Sequence, residues 1–263
     1  MTLKRTVIIY FSPTGTTRSV LQAAAEGIPL GDTIEIDLTN PVNENYRIPE
    51  DSLTIIGVPV YAGRVPETAV NRLKDITAHG SPCAVVCLYG NREFDDALVE
   101  LEDLAEELGF HVISAAAFIG EHSYSTEETP IAQGRPDEED KKKAVEYGRS
   151  LMARAGELDS PEDADPEVPG NRPYKERKTP AGVSPDTDYN RCAKCGKCAD
   201  RCPVNIIMMR DAAQSRPKGC ILCNACVKTC PTGARYLDIP QVKQWSKWLH
   251  ENCADRKEPE IYF

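Results

Sequence analysis

Residues 192 to 203 read CAKCGKCADRCP and residues 220 to 231 read CILCNACVKTCP, with every cysteine of the first copy repeated 28 residues on. The pairs are Cys192 with Cys220, Cys195 with Cys223, Cys198 with Cys226, and Cys202 with Cys230. Eight thiols in two short segments leave few backbone paths open, so this repeat constrains the fold more than any other feature. Disulfides would be the first reading in a secreted chain. However, the opening MTLKRTVIIYFSPTG lacks the basic, apolar and small-residue order of a signal peptide and runs straight into a strand-like segment. Metal ligation is therefore the expected use of the thiols.

Each copy has the form C-x2-C-x2-C-x3-C-P, similar to the ligand run of bacterial two-cluster ferredoxins. Cysteines three apart on a tight turn present thiolates to one cube, while the fourth, three residues further on, points away and completes the other. On that pattern Cys192, Cys195, Cys198 and Cys230 hold one 4Fe-4S cluster, and Cys220, Cys223, Cys226 and Cys202 hold the second. Small neighbours (Ala193, Gly196, Ala199, Ala225 and Gly233) would let backbone N–H groups approach the sulfurs. Two zinc sites are the rival reading; zinc needs paired C-x2-C elements and has no use for three in a row followed by Cys-Pro. Cys83 and Cys87, four apart on an expected strand, read as small buried apolar residues, and Cys253 stands in the tail without a partner.

The first 160 residues alternate differently. Apolar runs at 6–11, 33–38, 53–60, 83–89 and 110–119 read as strands buried on both faces of a parallel sheet, with helical stretches between them. In such a doubly wound α/β sheet, ligands bind beyond the C-terminal strand ends. Three segments share that rim: SPTGTT after the first strand, PVYAGRVPE (59–67) after the third and YGNREFDD (89–96) after the fourth. Neither a Walker loop nor a G-x-G-x-x-G dinucleotide loop is present. A turn of hydroxyls at a helix N-terminus suits one terminal phosphate, hence a mononucleotide. An ordinary turn followed by an N-cap is the plainer alternative.

This part resembles the flavodoxins, whose phosphate loop is S/T-x-T-G-x-T. Ser12, Thr14, Gly15 and Thr17 match it, and Thr16 fills the free position. The resemblance implies noncovalent FMN. Pro59, Val60, Tyr61, Gly63 and Arg64 would lie against one side of the ring, and Tyr89, Gly90, Asn91 and Arg92 against the other, with Tyr89 the best stacking candidate. Asn91 stands where many flavodoxins carry an acidic residue. The flanking tryptophan common in that family is missing, since Trp245 and Trp248 both lie near the C-terminus. Tyr61 capping the sheet and Arg64 as a solvated charge are the plainer readings of those two residues. His122, in GEHSYS past the fifth strand, lies near the rim, where contact with the flavin or the second domain is one reading and an ordinary surface or capping histidine is the plainer one.

The net charge of −10 argues against a nucleic-acid surface. Its distribution is uneven: residues 1–185 hold 18 Lys/Arg against 32 Asp/Glu, and residues 186–263 hold 13 against 9. The acidic part would disfavour an anionic reduced flavin, and the basic part would offset cluster charge, an ordinary solvated basic face being the plainer alternative.

Together the two halves resemble the flavo-ferredoxin fusions. The expected organisation is a flavodoxin-like FMN-binding domain over 1–157, a Pro-rich linker over 158–185, a ferredoxin-like α+β domain with two 4Fe-4S clusters over 186–239, and a helix and tail over 240–263. The amphipathic segment IPQVKQWSKWLHENC is expected to dock through its tryptophans. The resemblance implies an electron carrier, with anaerobes as the expected setting; the cofactor chemistry would let it couple one- and two-electron partners, the acidic first domain would lower the flavin's potential, and the flavin edge is expected to face a cluster. A flavin-dependent reductase of NAD(P)H or a small molecule, and a redox sensor or adaptor, are the alternatives. Redox proteins are the expected partners, a homodimer is possible, and the expected location is cytoplasmic, because no run approaches the roughly 20 apolar residues of a membrane span.

Overall fold

In a computed structural model that describes residues 2–41, 44–178 and 182–263, all five expected strands form within two residues of their expected ends. They are β1 (Arg5–Tyr10), β2 (Thr33–Asp37), β3 (Ser52–Pro59), β4 (Ser81–Tyr89) and β5 (Phe110–Ile119). All pair in parallel, in the order β2-β1-β3-β4-β5. This is the flavodoxin-like winding, whose crevice opens where β1 and β3 part at their C-terminal ends. The nearly unbroken apolar runs of β3, β4 and β5 follow from burial on both faces, whereas β2, an edge strand, buries only Ile36.

Helices α1 (Thr16–Glu26) and α4 (Glu138–Glu157) cover one face of the sheet, packing on Ile8, Leu53, Ile55 and Phe118. They cross closely. A Cβ on Gly148 would stand 1.9 Å from the carbonyl oxygen of Ala24, so only glycine permits this approach. Helices α2 (Glu67–Leu73) and α3 (Ala97–Glu107) cover the other face with Val7, Ile9, Val85 and Leu101.

A sixth strand, β6 (Glu260–Tyr262), comes from the end of the chain and pairs antiparallel with β5, Glu260 opposite Ala117 and Tyr262 opposite Ala115. The sequence pattern marks no strand there. Three exposed or half-exposed residues carry little hydrophobic pattern, and the edge of β5 supplies the pairing.

The cysteine repeat builds a small α+β unit. Helix α5 (Lys197–Asp200) lies in the first copy and α6 (Ala225–Lys228) in the second. A short hairpin, Ile207–Met209 with Ala213–Ser215, and a bridge of Asp186–Thr187 to Arg235–Tyr236 complete it. The duplication extends to the backbone. Positive φ recurs at the 28-residue offset: Lys194 (55°) and Leu222 (54°), Gly196 (80°) and Asn224 (56°), Asn205 (51°) and Gly233 (60°). Left-handed backbone at equivalent positions means that both copies follow one path.

Part of the expected linker lies bound along α3. Asn171 and the Lys175 N–H bond Asp96, Arg172 reaches Glu102 and Asp103, and Arg177 pairs with Glu100. Positions 179–181 of that linker fall outside the described residues. Among the described residues no helix is long and apolar enough to cross a membrane.

Candidate functional site

The turn after β1 places Gly15 at φ 88°, and α1 begins at the next residue. The Ser12 hydroxyl accepts from the Arg18 N–H at 3.1 Å, and the Ser12 N–H donates to Thr39 Oγ1 at 2.9 Å, which fixes the turn. Thr14 and Thr16 bring their hydroxyls within 3.4 Å of each other. Among the described residues the N–H groups of Thr16 and Thr17 have no acceptor, and the Thr17 hydroxyl is buried without a partner. Buried polar groups are nearly always paired, so these unpartnered groups mark a cradle for an anion. The nearest cation is spent elsewhere, since Arg18 pairs with Glu35 at 3.0 Å.

Next to this turn lies a cavity of about 340 Å³. Thr14 and Thr16 line one end, then Pro59, Val60, Tyr61 and Gly63 from the loop after β3, and Tyr89, Gly90 and Arg92 from the loop after β4. The chain after β5 adds Gly120, His122 and Tyr124. Gly90 is obligatory here because a Cβ would meet the His122 ring at 2.2 Å.

Three expected ring contacts are differently engaged. Arg64 does not line the cavity. Its guanidinium is buried, bidentate on Glu100 at 2.7 and 2.8 Å, bonded to the Lys175 carbonyl and stacked over Tyr174 at 4.6 Å. It fastens the bound linker to α3. Asn91 also turns away, its side-chain amide donating to the carbonyl oxygens of Cys253 and Asp255 at 2.7 and 2.8 Å. The Tyr89 ring, expected to stack, is 2% exposed, packed edge-on against Phe94 at 5.5 Å and covered by Lys257.

The accessible aromatic faces come from the end of the chain. Helix α7 (Pro240–Asn252) buries Val242, Ser246 and Leu249, and the Ser246 hydroxyl bonds to the Tyr124 carbonyl oxygen. The tryptophans, expected to do the docking, instead stand in the cavity wall, 39% and 52% exposed for Trp245 and Trp248. Their spacing showed a helix face; which face it was needed the fold.

Electrostatics differ across this wall. Burial, with Lys228 and Arg92 nearby, pulls His122 down to about 4, so its ring is neutral; its Nδ1 accepts the Tyr124 N–H at 3.0 Å, leaving the proton on Nε2. Burial pushes Tyr124 up to about 12, helped by Cys220 and Cys223, and Tyr61 is raised by burial, then Cys223, Tyr124 and Cys220.

Those thiols belong to the repeat. Cys202, Cys220, Cys223 and Cys226 line one small apolar cavity with Ile207 and Ile221. Burial comes first in raising Cys220, Cys223 and Cys226, and each is raised further by Cys202. The donor set and its apolar shell fit a cluster held by three cysteines of the second copy and one of the first. Buried Arg235 adds a guanidinium 3.6 Å from the Cys226 sulfur and also bonds Thr187. Nothing in the spacing marked that residue. The other set is more open. Cys195 is exposed, Cys192 and Cys230 are half-buried, and only Cys198 is buried. Burial opposes ionisation of Cys230, but N–H groups of Arg235, Thr232 and Ala234 and the Thr232 hydroxyl outweigh it and lower its pKa. Among the described residues no three His, Cys, Asp or Glu side chains close on a single-ion point.

Residues 191–234 match the family model of the 4Fe-4S dicluster domain. The chain joins a flavodoxin-like domain to a 4Fe-4S dicluster domain. Relatives include the methylamine utilization ferredoxin-type protein MauM of Methylorubrum extorquens, 29% identical over 96 residues, which covers 30% of this chain and 44% of that protein. The protein of the same name from Methylobacillus flagellatus is 32% identical over 96 residues, covering 30% and 41%. The chain thus spans less than half the length of these relatives. Among solved structures, an archaeal flavodoxin is 15% identical and covers 58% of this chain and 99% of its own, with a TM-score of 0.39. The Fusobacterium nucleatum flavodoxin bound to flavin mononucleotide is 19% identical and covers 59% and 98%, also with a TM-score of 0.39.

The two domains meet at the cavity. Ile221 and Leu222, between Cys220 and Cys223, form part of its wall. Around them Asn224 bonds the Ser123 carbonyl oxygen at 3.0 Å, Lys228 reaches Glu121 and the Ser125 carbonyl oxygen, and Arg72 reaches the Pro203 carbonyl oxygen.

Proposed function

We propose that this chain is an electron-transfer protein that holds FMN in the flavodoxin-like domain and two 4Fe-4S clusters in the dicluster domain. One observation carries the reading: a single cavity is walled both by the loops at the sheet's crevice and by the turn between Cys220 and Cys223. When bound, FMN exchanges one or two electrons and each cluster one.

The chain's own residues divide the remaining work. The turn from Ser12 to Thr17, with the free N–H groups of Thr16 and Thr17, would hold the terminal phosphate. Pro59, Val60, Tyr61, Gly63, Gly90 and Arg92 would flank the ring, with Trp245 and Trp248 closing it from water. His122 Nε2 offers a fixed donor inside the cavity. Tyr61, Tyr124, Ile221 and Leu222 line the cavity, and Ile221 and Leu222 stand between Cys220 and Cys223 in sequence, so this wall is the side of the cavity that would face the near cluster. Cys220, Cys223, Cys226 and Cys202 would hold the near cluster, and Cys192, Cys195, Cys198 and Cys230 the far one.

The working domains on this reading are residues 1–157 for the flavin and 186–239 for the clusters, with residues 240–263 returning to complete the flavin site. Anaerobic purification followed by iron, sulfide and flavin analysis tests it. About eight irons and one FMN per chain are expected. A preparation that binds only zinc and no flavin would refute the proposal.

A further inference from the structure

The two copies of the cysteine repeat follow the same backbone path but present different surfaces. In the second copy the turn faces inward. Ile221 and Leu222 line the flavin-side cavity, Asn224 bonds Ser123, and Lys228 pairs with Glu121. The positions 28 residues earlier are Ala193, Lys194, Gly196 and Asp200, and of these Ala193, Lys194 and Asp200 are exposed.

Cations are concentrated on this outward turn. Lys194 stands where the second copy has Leu222, Lys197 where it has Ala225, Arg201 where it has Thr229, and Arg191 where it has Gly219. All four are exposed, and among the described residues none has a carboxylate partner. Arg191 lies over the Thr232 carbonyl oxygen at 2.7 Å, beside Cys230. Asp200 is the one acid within the turn. The thiols beneath are the open set, with Cys195 itself exposed.

One copy of the duplicated surface is thus covered by the chain's own flavodoxin-like domain through Ile221, Leu222, Asn224 and Lys228, while its twin is cationic and exposed. We propose that the turn carrying Arg191, Lys194, Lys197 and Arg201 is the docking surface for an acidic one-electron redox protein. Unpaired cations around an exposed redox centre steer a partner bearing clustered carboxylates and hold it over that centre. A neutral partner would gain nothing from them. The step moves one electron: the reduced acidic protein loses it and the iron-sulfur centre at Cys192, Cys195, Cys198 and Cys230 gains it, with no bond made or broken. The inference rests on the cofactor reading given above.

The test uses the anaerobically prepared full chain, its flavin and iron content measured first, and a reduced plant-type 2Fe-2S ferredoxin as the acidic probe. Stopped-flow absorbance gives the second-order rate of electron exchange. With the unmodified protein the rate should fall steeply as ionic strength rises from about 0.05 to 0.5 M. The double variant Lys194→Glu and Lys197→Glu should lower the low-salt rate roughly tenfold or more, with the final extent of reduction by excess dithionite unchanged. Lys74→Glu with Lys142→Glu makes the same charge change at exposed sites of the other domain and should leave the rate unaltered.

A rate insensitive to salt, or an equal loss in both double variants, would overturn the docking surface while leaving the cofactor reading intact. So would concentration-dependent self-association that disappears in the Lys194/Lys197 variant, because the occupant would then be a second copy. Retention of unmodified protein on duplex DNA at about 0.15 M salt, lost in that variant, would overturn it as well. Absence of iron and flavin from the starting protein would refute both readings together.

Discussion

The side-chain amide of Asn224 donates to the main-chain carbonyl oxygen of Ser123 at 3.0 Å, tying the turn that carries Cys223 to the loop after β5. Asn224 also sits at φ 56°, so two effects are separable. Asn224→Gly keeps the backbone conformation and removes the bond, and should lower the first urea transition by about 1 kcal/mol. Asn224→Ala should cost about 1 kcal/mol more, because alanine pays for the left-handed backbone. Faster amide exchange over residues 121–125 in both variants would localise the effect.

Trp245 and Trp248 are large, half-exposed aromatic surfaces held over a cavity by a helix anchored through Val242, Ser246 and Leu249. Replacing either by alanine should weaken FMN binding about tenfold, the worth of one aromatic stacking contact, with little change in folding stability. Fluorescence titration of the flavin-depleted protein measures it. Unchanged affinity in both variants would remove the tryptophans from the flavin site.

Legibility from sequence followed the strength of the physical constraint. The strands were readable because double-sided burial forces continuous apolar runs, and the thiols because a four-iron cube dictates their spacing. Rim loops were readable as loops, since parallel strands place them, but not side chain by side chain. Arg64 and Asn91 occupy the right loops, and only the bound linker and the returning tail decide that both turn away from the cavity. Trp245 and Trp248 lie more than a hundred residues from the rim in sequence. No local pattern could announce that α7 closes the site, and β6 was invisible for the same reason.

His122 gives a pH dependence of defined sign. Its folded pKa, about 4, lies below the ordinary value of 6.5, because burial, Lys228 and Arg92 disfavour the charged ring. The unfolded chain therefore takes up a proton that the folded chain refuses. The contribution of His122 is complete above about pH 6.5 and is lost as pH falls toward 4, with a slope of at most about 1.4 kcal/mol per pH unit. His122→Asn, which can still accept the Tyr124 N–H, should flatten stability between pH 6.5 and 5 relative to the unmodified protein. Equal slopes in urea melts would show that the ring does not stay neutral.

Thr17 separates ligand binding from folding. Its hydroxyl is buried and unpartnered, so Thr17→Val should leave the flavin-free protein equally stable or about 1 kcal/mol more stable. If the hydroxyl serves the phosphate, the same substitution should weaken FMN binding roughly tenfold. A variant less stable without flavin would mean that the hydroxyl has a structural partner.

Arg64 should behave in the opposite way. Its pairing with Glu100 at 2.7 Å is buried, and Arg177 shares the same carboxylate. Arg64→Met preserves much of the side-chain volume but leaves Glu100 with one cation fewer in a low-dielectric site, costing about 3 kcal/mol of stability. Because the guanidinium lies outside the cavity, FMN affinity in the folded variant should be unchanged. The bound linker should loosen, seen as faster proteolysis between residues 166 and 178, since Arg64 also holds the Lys175 carbonyl oxygen. A large loss of FMN affinity with normal stability would return Arg64 to the flavin rim.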